Sequence, residues 1–188
     1  LPGRPWVFDL IELEGMPAHI LRHSQMVRKV AVTLAAFVAR TRPIDIDLVD
    51  RAALLHDISK DKAIRDGGDH ARMGQRLLEA LGYPNIGAVI GQHVRLKELE
   101  LNEALLVNYA DKRVMHDRVV SLPRRFVDLL DRYGTNDERR ERILKQFGTT
   151  LEVERLVCEA SGLDPLWLNS LNLTLADDAL DGGHGVGG

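Results

Sequence analysis

A chain of 188 residues is long enough for one domain with a sizeable core and too short for two full ones. Hydrophobic residues at 45% and charged residues at 28% describe a globular protein, and a formal net charge of -3 with 5% aromatics gives general nucleic-acid binding neither electrostatic drive nor stacking platforms. The lone cysteine, Cys158, reads as a small core hydrophobe in a reducing cytoplasm, and the longest apolar run, Val30 to Val38, falls far short of the roughly 20 residues a bilayer requires, so no membrane contact is expected.

Trp6 to Leu13 suits a short leading helix, which Gly15-Met16-Pro17 interrupts before a long helix from about Ala18 to Arg40. In that helix His23, Val27, Val30, Leu34 and Phe37 recur at steps of three and four, so His23 heads a buried stripe. Asp45 or Asp47 caps the next helix, which is apolar nearly all round and runs through His56-Asp57 to about Lys60. Asp66-Gly67-Gly68-Asp69 is a turn and a cap, opening a helix whose stripe is His70, Met73, Gly74, Leu77, Leu78 and Leu81. Gly82 closes it, and Pro84 starts another with Ile86, Val89, Ile90 and His93 inward. Leu101 to Val114 follows as a helix with Asp111 on its inward line, then Ser121 to Tyr133 with Phe126, Leu129 and Leu130 inward. Capping boxes at Thr135-Asn136-Asp137-Glu138 and Thr149-Thr150-Leu151-Glu152 predict separate helices near 137–147 and 150–161, before a short one whose Trp167, Leu168 and Leu171 are expected in the core. No segment has a period-two strand, so the fold is expected to be all-α.

Six polar residues occupy inward positions on five of these helices: His23, His56, Asp57, His70, His93 and Asp111. One such residue is ordinary. Six need a common cause, because burying imidazoles and carboxylates without partners costs several kcal/mol. Packed around one centre, four neutral imidazoles and two carboxylates form a nitrogen and oxygen site suited to iron, manganese, cobalt, nickel or zinc, although zinc alone would want only four ligands.

The order His23, His56-Asp57, His70, His93 and Asp111 resembles the HD superfamily of metal-dependent phosphohydrolases, all-α proteins with an H…HD…D order and extra histidines in two-metal members. Leu54-Leu55-His56-Asp57-Ile58-Ser59-Lys60 is similar to that family's L-L-H-D-I-G-K, with Ser59 in place of the glycine, and Asn108-Tyr109-Ala110-Asp111-Lys112 resembles its Y/L-A-D-x segment. The likeness spans roughly Pro17 to Arg118. It implies that His23, His56, Asp57 and Asp111 hold one divalent transition metal and that His70 and His93 hold a second, with Asp57 bridging; iron or manganese is favoured, and cobalt, nickel or zinc is compatible. Within the superfamily the chain looks most like the bacterial hydrolases that cut diadenosine tetraphosphate symmetrically, and HD modules attached to nucleotidyltransferase-like domains are also similar. Gly82-Tyr83-Pro84 does not extend the likeness to the cyclic-dinucleotide phosphodiesterases named HD-GYP, since Leu78-Glu79-Ala80-Leu81 precedes it where those proteins carry H-H-E.

Two cations about 4 Å apart activate a water for in-line attack on phosphorus, so the expected activity is hydrolysis of a phosphoester or phosphoanhydride in a small nucleotide-like substrate. Asp57 and Lys60 are the expected catalytic residues: Lys60 lies four residues after His56 on the same helix face, and the resemblance gives its ammonium to the substrate phosphate. Arg95 and Lys97, just beyond His93, are expected to hold a second phosphate. The rival readings are a non-catalytic regulatory module that binds nucleotide or metal, and a di-iron oxygenase of the HD type. Lys112, Arg113, His116, Arg118, Arg124 and Arg125 form the one basic cluster, whose plain reading is a solvated surface. Residues 1–134 are expected to form the metal-binding helical core, 135–175 a helical extension of the same domain, and 176–188 a flexible Gly- and Asp-rich tail. A homodimer is compatible with the chain, and a start at Leu1 leaves room for a further domain in the native gene product.

Overall fold

The computed structural model describes residues 1–175; the expected tail, 176–188, lies outside the described residues. Among these the protein is all-α: α1 (Arg4–Leu13), α2 (Ala18–Val38), α3 (Ile46–Leu55), α4 (Lys60–Asp66), α5 (His70–Ala80), α6 (Pro84–Ile90), α7 (Glu103–Lys112), α8 (Leu122–Tyr133) and α9 (Asp137–Ser161), closed by a 3-10 helix at Trp167–Leu175. No described helix is long and apolar enough to cross a membrane.

Helix α2 is the axis of the bundle. Its buried face, Ile20, His23, Met26, Val27, Val30, Ala31, Leu34 and Val38, repeats at three and four and packs against α3, α7 and α9. Helix α7 is buried from Ala104 to Lys112 on every side, as its continuous apolar sequence requires, and touches α2, α3, α6 and α9. Asp45, Asp69, Asn102 and Asn136 each cap a helix through the side-chain oxygen. Helices α5 and α6 form a tight hairpin. A Cβ added at Gly87 would stand 2.9 Å from the Gln75 carbonyl oxygen, and one at Gly74 would stand 3.2 Å from Ile90 Cδ1, so glycine lets the two backbones approach.

Four expectations are corrected. The central helix ends at Leu55 instead of Lys60, because His56 Nδ1 bonds the Ala53 carbonyl at 2.8 Å and takes the acceptor that a continuing helix would use; a turn follows and Lys60 starts α4. The two C-terminal helices are one, α9, since the hydroxyls of Thr149 and Thr150 bond the carbonyls of Lys145 and Gln146 four residues back instead of capping a new start. A hairpin of two-residue strands, β1 (Val114–Met115) and β2 (Arg118–Val119), follows α7, too short to show any period in sequence. Trp167 is 43% exposed, edge-on to Phe37, while Leu168 and Leu171 are buried.

Two buried ion networks pin the outer helices. Arg113, 1% exposed, donates to Tyr109 Oη, Glu154 and the carbonyls of Val120 and Pro165, tying α7 to α9 and the closing segment. Arg4 of α1, Arg28 of α2 and Arg51 of α3 converge on the Asp50 carboxylate, which is 2% exposed. Burial pushes this carboxyl up, but the bonds from Arg4 and Arg28 outweigh it and hold it below its ordinary value. Its stabilisation is therefore fully present above the ordinary carboxylate range and is lost as pH falls through the lower native value. Asp50→Asn should cost about 2–4 kcal/mol in urea unfolding at pH 7. The gap from wild type should close in strong acid, and an undiminished gap there would assign the loss to packing instead of charge.

Candidate metal centre

The six inward residues come from different elements and meet at one place. His23 is on α2, His56 is the C-terminal cap of α3, Asp57 sits in the turn before α4, His70 is the first residue of α5, His93 lies in the turn after α6, and Asp111 is near the end of α7. His56 and His93 are thus not helical residues as the sequence pattern suggested. They share one local geometry: each stands just past a helix end and bonds the carbonyl three residues earlier through Nδ1, His56 to Ala53 at 2.8 Å and His93 to Ile90 at 2.7 Å. Ser59, where the similar family sequence has glycine, has φ -101°, which any residue adopts without strain.

The donor atoms fall into two groups, His23 with His56 and Asp111, and Asp57 with His70 and His93; within each group they lie within 4.8 Å of one another. His23 Nε2 is 3.1 Å from Asp111 Oδ1, and His56 Nε2 is 3.6 Å from the same oxygen. Asp57 Oδ1 is 3.4 Å from both His70 Nε2 and His93 Nε2, while its Oδ2 is 3.5 Å from His56 Nε2. Asp57 therefore faces both groups, one oxygen to each. Ligands at about 2.0–2.2 Å from a single ion stand roughly 3.0–3.5 Å from each other, the spacing found here.

Which ring nitrogen faces inward is set by the backbone. A carbonyl only accepts, so the Nδ1 atoms of His56, His93 and His23, the last bonded at 2.7 Å to the His116 carbonyl, carry the protons. The Nε2 lone pairs are then aimed at each other and at carboxylate oxygens. His56 Nε2 and Asp57 Oδ1, both buried, have no hydrogen-bond partner. A cation between these atoms satisfies what the protein leaves unpaired, so the residues fit a metal.

The electrostatics agree. Burial pushes the Asp57 carboxyl up, yet the charge of His56, the close approach of His70 and His93 and the charge of Lys60 hold it well below the ordinary range. Burial likewise opposes ionisation of Asp111, and Lys112, His23 and His56 reverse it. Burial lowers His93. It also lowers His56, but the adjacent charges of Asp57 and Asp111 win and raise it.

Lys60 meets Asp57 Oδ2 at 2.7 Å from the start of α4, not from a shared face with His56, and its side chain is 34% exposed. Arg95 and Lys97 are exposed on the segment after His93 and line a cleft facing α9. His19, one turn before His23 on α2, is exposed.

Three contributors were not read from the sequence. Lys112, assigned to a surface cluster, is buried and donates to Asp111 Oδ2 at 2.6 Å and to the His93 carbonyl at 3.2 Å. Asn108 donates to the carbonyls of Gln92 and His93, fixing the turn that carries the histidine. His116 holds His23 through its backbone oxygen from a left-handed conformation, φ 57°. The burial of Lys112 depends on its partner Asp111, and a backbone acceptor leaves no trace in residue type.

An all-helical chain with paired His/Asp groups at its centre is the architecture of a metal-binding helical domain. Residues 19–136, more than half the chain, match the HD domain, and the protein belongs to that family. No curated protein and no solved structure matched the chain.

Divalent manganese or iron added to metal-depleted protein should raise its thermal midpoint, by the equivalent of about 2.7 kcal/mol at a hundredfold excess over Kd. Asp57→Ala should remove most of that rise and most of the metal measured by elemental analysis, whereas Arg155→Ala, on the exposed face of α9, should keep both. A wild-type midpoint indifferent to manganese, iron, cobalt, nickel and zinc would refute the centre.

Proposed function

We propose that the protein is a metal-dependent phosphohydrolase that cleaves a phosphoester or phosphoanhydride of a nucleotide-like substrate. The observation that carries this reading is the pair of unpartnered buried atoms, His56 Nε2 and Asp57 Oδ1, at the meeting point of the two donor groups. His23, His56 and Asp111 would hold one divalent ion and His70 and His93 a second, with Asp57 presenting an oxygen to each. Bound there, such ions polarise phosphate oxygens and make water acidic enough to attack phosphorus near neutral pH.

The rest is done by the chain. Carbonyls of Ala53, Ile90 and His116 lock three imidazoles in the tautomer that presents Nε2. Lys112, buried, keeps Asp111 Oδ2 occupied and leaves Oδ1 for the centre. Lys60 differs: burial depresses its ammonium, the Asp57 and Asp111 charges more than restore it, and its partial exposure lets it meet an incoming phosphate. An ammonium beside the centre favours an anionic substrate, as a phosphoester or phosphoanhydride is. Arg95 and Lys97 would bind a further phosphate.

The metal-reconstituted protein should release inorganic phosphate or a nucleotide from a panel of mononucleotides and dinucleoside polyphosphates. Lys60→Ala should lower kcat/KM by about 10- to 100-fold with metal content retained. Oxygen consumption without phosphate release, or full turnover by Lys60→Ala, would overturn the assignment.

A further inference from the structure

The cleft beside the His93 turn encloses about 890 Å³ between residues 94–99 and the first half of α9. That size suits a small organic ligand. Its lining is electrostatically one-sided: Arg95, Lys97, Arg139, Arg142 and Lys145 face it, with Glu98 the one carboxylate among its lining residues. Arg142 makes an exposed 3.5 Å pair with Glu138, while Arg95, Lys97 and Lys145 make no ion pair among the described residues. Five cations gathered in a concavity of a protein whose net charge is -3 repel one another until an anion enters.

The cleft is coupled to the metal centre through shared backbone. Asn108 lines it and donates to the His93 carbonyl at 2.8 Å. Gln146 of α9 lines it too, and donates to the carbonyl of Val94, the next residue, at 2.8 Å. Tyr133 forms part of the wall. Apolar Leu96, Ile143 and Val153 complete the lining.

We propose that this cleft binds the distal phosphates of the substrate whose scissile phosphate lies at the metal centre, so that the preferred substrate is a nucleoside polyphosphate and not a monophosphate. The inference rests on the hydrolytic reading above and adds the substrate class to it. Arg139, Arg142 and Lys145 lie beyond residue 136, where the match to the family ends, so this selectivity belongs to the chain's own last long helix.

Two experiments on the full chain separate the site from the reaction. Inorganic tripolyphosphate titrated calorimetrically into Asp57→Ala protein in EDTA should bind, and the double change Arg139→Ala with Lys145→Ala should weaken that binding about tenfold or more. Both side chains are exposed, so the helical signal by circular dichroism should persist, and Arg139→Lys should largely retain binding. No binding, or binding indifferent to the double change, overturns the proposal whatever the activity. In metal-loaded protein the ratio of kcat/KM for ATP over AMP should fall about tenfold in the same double variant; an unchanged ratio also overturns it. Cleft-dependent tripolyphosphate binding without hydrolysis of any nucleotide keeps the polyphosphate site and overturns the hydrolytic reading instead.

Discussion

Three backbone carbonyls, those of Ala53, Ile90 and His116, decide the chemistry of this protein by fixing the protons of three imidazoles on Nδ1. Once those protons are placed, the Nε2 atoms of His23, His56 and His93 face the centre as lone-pair donors, beside Oδ1 of Asp57 and Asp111. Lone pairs at 3.1 to 3.6 Å with nothing between them repel, so either protons or metal ions must occupy the gap. The two compete for the same atoms, and the raised basicity of His56 beside two carboxylates measures how strongly the cluster draws positive charge.

The bundle is arranged to make that gap rigid. His56 and His93 sit where α3 and α6 end, and the α5–α6 hairpin is drawn close by Gly74 and Gly87, which brings His70 Nε2 to 3.0 Å from His93 Nε2. Helix α7 supplies Asp111 from the most buried segment of the chain, and Lys112 and Asn108 of the same helix hold both the carboxylate and the His93 turn. The two lysines divide the remaining carboxylate oxygens. Lys112 is enclosed and serves the interior, whereas Lys60 is partly exposed beside Asp57.

Residue type and spacing were enough to identify the all-α fold and to single out the six residues that meet, because imidazoles and carboxylates on apolar stripes violate the usual segregation of polar groups and stand out for that reason. Helix ends were less legible. The apolar run through Leu55 and Ile58 favours continuation, whereas the bond from His56 Nδ1 to the Ala53 carbonyl, three residues back, takes the acceptor that continuation would use. Lys112 and Arg113 looked like surface charge because charge is normally solvated; their burial depends on Asp111, Tyr109 and Glu154 being at hand, which no local pattern encodes. The His116 carbonyl was invisible in principle, since every residue has one.

Helix α9 illustrates how a misread boundary conceals a relation between sites. Read as two helices, residues 137–161 divide into two segments with no fixed geometry between them. As one rod they cannot move independently. Glu154, in its second half, is held by Arg113 and Tyr109 of α7, and Gln146, in its first half, is bonded to the backbone immediately after His93. Both anchors are one step from the centre: Arg113 is two residues past Asp111, and Val94 is one past His93. The rod therefore sets its cationic face at a fixed height relative to the metal ligands. A flexible extension would leave the cations of α9 to spread into solvent; a continuous helix holds Arg139, Arg142 and Lys145 together in the cleft that Arg95 and Lys97 also line.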